Sequence, residues 1–135
     1  MDRKFDYLAV FARICLASLF LWSGLGKLMS YEGTVGYIAS VGLPLAPLAY
    51  TVAVIVEILG GIALVVGFKT RIVAAALAVF SVATALGFHT NFGDLNQAVN
   101  FMKNIAIAGG MLQVLAFGSG PISVDARRKS AMTLG

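Results

Sequence analysis

The chain has 135 residues, of which 59% are hydrophobic and 12% charged, with a formal net charge of +4. Globular proteins carry roughly 25% charged residues, so with a mean hydropathy of +0.91 this composition excludes a soluble domain and points to one membrane-embedded unit, 1–135. The cations stand mostly at the ends of apolar runs, with no basic face interleaved with aromatics, which excludes a nucleic-acid binder.

The first apolar run predicts a transmembrane helix over 7–28. Arg3 and Lys4 precede it as in a signal peptide, but Arg13 inside the run and the lack of a small-residue cleavage pattern predict a retained helix. Arg13 and Lys27 are fourteen residues apart, within about 40° of one face and about 21 Å apart in height. Lys27 reads either as a snorkelling side chain that ends the span or as an inward group. Arg13 is expected to be buried and paired. Cys15 reads as a small apolar side chain; one cysteine allows no internal disulfide, and one histidine no bis-histidine haem.

From Met29 to Pro47 the chain is too broken to span, with a short interfacial helix expected over 34–41. Its tyrosines suit an aromatic belt, and it either lids the polar centre or lies on the membrane as a linker. A second span is predicted over 48–68, and a tight basic turn at Phe68-Lys69-Thr70-Arg71 makes a third, 72–88, its antiparallel partner. Ser81 and Thr84 are expected to bond within the bundle. His89 stands at the far end of that span, before a polar stretch from Asn91 to Asn100. A fourth span is predicted over 101–117, opening with Lys103-Asn104 and carrying Gly109-Gly110. The tail from Gly118 is basic at Arg127-Arg128-Lys129 and expected to be mobile. Four spans put both termini on one side with Arg3, Lys4, Lys69, Arg71 and the tail cations, and the positive-inside rule makes that side cytoplasmic. The fold class is an all-α membrane protein, a four-transmembrane-helix antiparallel bundle.

Glu57 lies midway along the second span. A carboxylate at that depth costs roughly 2.5–3.5 kcal/mol on insertion scales, so it must face protein and have partners. Gly60 and Gly61 share its face and allow a neighbouring backbone to approach closely, as do Gly24, Gly109 and Gly110 on other spans. Arg13, Lys27 and Lys103 are expected to gather around Glu57, with His89 nearby. Three cations against one acid leave a surplus of two, partly offset by Asp94, and such a centre should attract an anion or stabilise charge on a quinol-like ligand. The competing reading is a closed salt-bridge network that only sets helix register. No metal cluster, phosphate loop or dinucleotide fingerprint is visible, so any redox cofactor, such as a membrane quinone, must be borrowed.

Arg13 with Phe20, Gly24 and Lys27-Leu28, Gly42-Leu43-Pro44, and Glu57-Ile58-Leu59-Gly60-Gly61 through Gly67 and Thr70-Arg71 form an ordered set of motifs. Phe88-His89, Lys103-Asn104, Gly109-Gly110, Gly118-Ser119-Gly120 and Ser123-Val124-Asp125 complete it. In order and spacing the chain resembles the DoxX family of small four-helix bacterial membrane proteins over nearly its whole length. The resemblance implies a multi-pass inner-membrane protein, like the small subunit of a thiosulfate:quinone oxidoreductase. It also implies Arg13, Lys27, Glu57, His89 and Lys103 as ligand-binding positions. Glu57 would be a proton acceptor or the counter-ion to Arg13, with Lys27 and Lys103 holding the anionic group, in a redox-associated subunit that takes a quinone or small sulfur oxyanion beside a partner oxidoreductase. A non-enzymatic carrier of a lipophilic or anionic molecule, and a structural subunit, remain open. The small-residue faces permit a homodimer.

Overall fold

An N-cap opens the chain: the Asp2 carboxylate accepts from the Lys4 amide at 3.3 Å, and α1 runs Arg3–Met29. The computed structural model describes residues 2–134, in which five further helices follow: α2 Tyr31–Ser40, α3 Ala46–Val66, α4 Thr70–Phe88, α5 Leu95–Phe117 and α6 Val124–Thr133. Helices α1, α3, α4 and α5 are long and apolar enough to cross a membrane, and no strand occurs among the described residues.

Local chemistry sets the helix ends. Pro47 occupies the first turn of α3, where its missing N–H breaks no helical bond. Gly67 closes the same helix at φ 72°, and the Phe68 amide reaches back to the Ala63 carbonyl at 2.9 Å in a Schellman closure. That leaves three residues before α4, so α3 and α4 form the expected antiparallel hairpin.

α1 packs on α3, α3 on α4 and α4 on α5, whereas α1 and α5 scarcely touch. The core sits toward the end of the bundle that holds the α3–α4 turn, built from Ala17, Phe20, Leu64, Leu77, Ala108 and Met111. Close approaches need small residues: a Cβ on Gly24 would stand 2.6 Å from Ile58 Cδ1, and one on Gly61 2.7 Å from Leu21 Cδ2. Gly60 against Leu77 and Gly110 against Leu16 are tight contacts of the same kind. Gly109 is different from the expectation, because it faces open space and packs against nothing. Outward, Trp22, Leu59, Val79 and Phe117 are exposed apolar side chains of the kind that lipid covers. Cys15 is likewise exposed rather than buried.

Three segments depart from the sequence reading. α2 begins at Tyr31 and packs its Ile38 against Ala46 and Tyr50 of α3, which makes it part of the bundle's wall. Its Tyr37 stacks on Phe88 at 5.5 Å, and Tyr31 meets Tyr50 edge-on at 4.8 Å. α5 starts at Leu95, because the Asp94 carboxylate caps it by accepting from the Asn96 amide at 2.9 Å. The later part of the polar stretch, 95–100, is therefore helix.

The tail is the third correction. Ser123 caps α6 through the Ala126 amide at 3.1 Å, and the Asp125 carboxylate accepts from the Lys69 and Thr70 amides at 2.7 and 2.8 Å. The Asp125 amide in turn donates to the Gly67 carbonyl at 2.9 Å. Far from being loose, this segment is bolted to the start of α4.

Candidate functional site

On α1, Ser23 and Lys27 are one helical turn apart and lie above one another. α3 runs beside them and carries Glu57, which is 4% exposed. Lys27 Nζ donates to Glu57 Oε1 at 3.0 Å and to Ser23 Oγ at 2.7 Å, while Ser23 Oγ donates to Glu57 Oε1 at 3.0 Å. Nζ also stands 2.9 Å from Oε2, yet that oxygen receives no directed hydrogen bond. The Tyr50 hydroxyl, two turns before Glu57, donates to the Lys27 carbonyl at 3.0 Å and locks the end of α1 onto α3.

This triad forms part of the wall of a cavity of about 1040 Å³ in the half of the bundle that lacks the core. Most of the wall is apolar, with Leu19, Leu48, Val52, Phe80 and Phe88 among its members. α2 covers one side through Thr34, Tyr37 and Ile38, and α5 contributes Asn100 and Asn104. Ser81 and Thr84 also border it, but their hydroxyls donate to their own helix, to the Leu77 and Phe80 carbonyls at 2.8 Å each. His89 lines the far end, and its Nδ1 is buried without a hydrogen-bond partner.

Of the expected charged cluster, Lys27, Glu57 and His89 are brought to one cavity. Arg13 is not. It is 2% exposed, and its guanidinium donates to the Leu64 and Val65 carbonyls at 3.2 Å each and to the Ile122 carbonyl at 2.6 Å. The last carbonyls of α3 have no helical partner, and Arg13 satisfies them while pinning the segment that leads into α6. Lys103 is exposed on α5, outside the cavity, although its neighbour Asn104 lines it. Asp94 is occupied as a cap. The surplus of two cations therefore disappears: the centre holds one lysine and one carboxylate. Among the described residues no group of three or more His, Cys, Asp or Glu side chains could hold a metal ion.

Sequence reasoning passed over Tyr50, Asn100 and Asn104. The two asparagines are four residues apart and so share a helical face, a signal that shows only once α5 is extended back to Leu95. Tyr50 left no comparable trace.

The arrangement combines a deep carboxylate, an ammonium and a hydroxyl at one side of an apolar chamber, with an imidazole at its far end. Such a site can bind an amphipathic molecule and exchange a proton with its polar head.

Comparison with known proteins agrees with this architecture. Inner membrane protein YqjF of Escherichia coli (strain K12) is 37% identical over 127 residues, covering 93% of this chain and 95% of the other. Inner membrane protein YphA of the same organism is 37% identical over 136 residues, covering 93% and 97%. A shorter match, 35% over 78 residues, joins 58% of the chain to 57% of "Putative oxidoreductase CatD" of Bacillus subtilis (strain 168). No solved structure is significantly similar. The DoxX family model matches residues 8–90. With that match and two relatives aligned almost end to end, the chain belongs to the DoxX family and is a multi-pass inner-membrane protein.

Proposed function

We propose that the chain is a redox-associated membrane subunit whose cavity binds a lipophilic molecule of the quinone class. The observation that carries this reading is the Lys27–Glu57 ion pair, with His89 at the far end, on the wall of one large and mostly apolar chamber. Ligand sites are mostly apolar with a few convergent polar groups, so a charged pair and an imidazole on an apolar wall fit a ligand with a polar head and an apolar body. A quinone, when bound, supplies the capacity to take up two electrons and two protons. In this reading Lys27 orients a ligand oxygen, Glu57 holds or passes a proton at Oε2, and the apolar wall excludes water. The electrons would come from a partner oxidoreductase, a reading that the partial likeness to CatD supports. The small sulfur oxyanion is less well served, because Lys27 is already matched by Glu57. We also assign the end bearing α6 to the cytoplasm, since Arg3, Lys4, Lys69, Arg71 and the α6 cations gather there.

A structural role is the second reading, favoured by the closed bonding of Ser23, Lys27 and Glu57 that joins α1 to α3. The two separate with Ala53→Phe, which puts an aromatic ring into the cavity one turn from Glu57 and leaves Ser23, Lys27 and Glu57 themselves unchanged. Wild type, Ala53→Phe and Glu57→Gln are extracted in mild detergent, offered a short-chain ubiquinone, and examined by native mass spectrometry. Quinone carried by wild type and lost from Ala53→Phe at unchanged thermal stability supports the binding reading. No quinone on wild type, or an equal load on Ala53→Phe, overturns it.

A further inference from the structure

A second concavity, of about 500 Å³, lies at the opposite end of the molecule, between the start of α4, the end of α5 and α6. Lys69, Arg71, Arg128 and Lys129 line it. The acid among them, Asp125, is already engaged by the Lys69 and Thr70 amides. Among the described residues the ion pair of the fold is Lys27 with Glu57, so these four cations have no acid within 4.0 Å. They are nonetheless held in place. Lys69 and Arg128 both lie over the Phe68 ring, at 5.7 and 5.6 Å, and Arg71 Nε lies 3.4 Å from where a Cβ on Gly118 would stand. The groove also has an apolar margin of Ile72, Phe117 and Met132, all well exposed. Because α4 starts at Thr70 and α5 ends at Phe117, the groove stands where spans meet the headgroup layer.

We infer that this groove binds an anionic phospholipid, its phosphate among the four cations and its acyl chains along Ile72 and Phe117. The charge asks for an anion. The apolar margin, which free phosphate would leave unused, asks for a tail. Basic pockets beside membrane helices are the chemistry that selects acidic headgroups over zwitterionic ones. The inference is independent of what fills the other cavity.

Delipidated protein is titrated with phosphatidylglycerol, phosphatidylcholine and inorganic phosphate, with binding read by native mass spectrometry. Phosphatidylglycerol should bind at least about tenfold tighter than phosphatidylcholine. At about 1 kcal/mol for each cation near the headgroups, Arg71→Gln with Arg128→Gln should weaken it about thirtyfold. Lys69→Gln with Lys129→Gln provides a second pair should the first fail to fold. Equal binding of the two lipids, undiminished binding in a folded double variant, or displacement of the lipid by equimolar inorganic phosphate would each overturn the inference.

Discussion

Lys27 and Glu57 are partners of unequal depth: their side chains are 24% and 5% exposed. Removing one member of a buried pair strands the other, and the cost depends on which charge can still reach a polar phase. In Glu57→Gln the lysine can snorkel outward. In Lys27→Met the deeper carboxylate cannot. Lys27→Met should therefore cost about 3 kcal/mol at neutral pH and Glu57→Gln about 1, an order that thermal unfolding in detergent checks. At Arg13, a lysine cannot span three carbonyls from two segments, so Arg13→Lys should lose about 3 kcal/mol and expose the chain near Ile122 to limited proteolysis. That Glu57 would face a cation of a neighbouring span was legible, since a mid-span acid needs a counter-ion; that the cation is Lys27 and not Arg13 was not. The place of Arg13 was half legible. A helical face says nothing of height, and the separation of about 21 Å between Arg13 and Lys27 already kept one carboxylate from serving both. What no residue pattern announces is that a charge's partner will be backbone carbonyl oxygen.

Among the elements, α6 shows most clearly how a carboxylate can substitute for a hydrophobic face. Its dock on α4 rests on Asp125. Burial alone would push that carboxyl up, but the Thr70 and Lys69 amides and the nearby Arg128 guanidinium outweigh it and hold it below the ordinary value of 3.8. A depressed folded value gives stability that is present above 3.8 and is lost as pH falls through the folded value. Protection of the α6 amides against hydrogen exchange, relative to the unfolded rate at the same pH, should be high at neutral pH and fall on acidification below that range, and Asp125→Asn should lower it at neutral pH. Gly67 is the other fixed point of this joint. At φ 72°, with Arg13 and Ser123 pressed where a Cβ would go, Gly67→Ala should destabilise by about 2 kcal/mol or more, measured by thermal unfolding. The apolar spans were readable because twenty greasy residues have few other fates. α6 and the first turns of α5 were not, because they depend on the short-range caps Ser123 and Asp94 and on docking rather than apolar periodicity.

Across the whole molecule the two halves have different characters. The half with the α3–α4 turn is filled by close-packed side chains and sealed by Arg13 and α6, whereas the other half holds the large, partly open cavity beside α2. The four-helix class followed directly from composition and run length. The cavity did not, because an empty space is a property of how the helices cross and of which close contacts, such as Leu16 against Gly110, they make.

That contact also bears on how a ligand of the proposed kind would reach the cavity. α1 and α5 approach closely at Leu16 and Gly110 but have little contact overall, while the cavity wall includes residues of both helices, among them Ser23, Lys27, Asn100 and Asn104. A guest that slips through this seam arrives sideways from the hydrocarbon. Its loading then follows its mole fraction in the bilayer rather than its molarity in water. Doubling the lipid around a fixed amount of protein and guest should lower occupancy as surely as dilution does for a soluble receptor, and a longer prenyl tail could trail out between the helices at little steric cost.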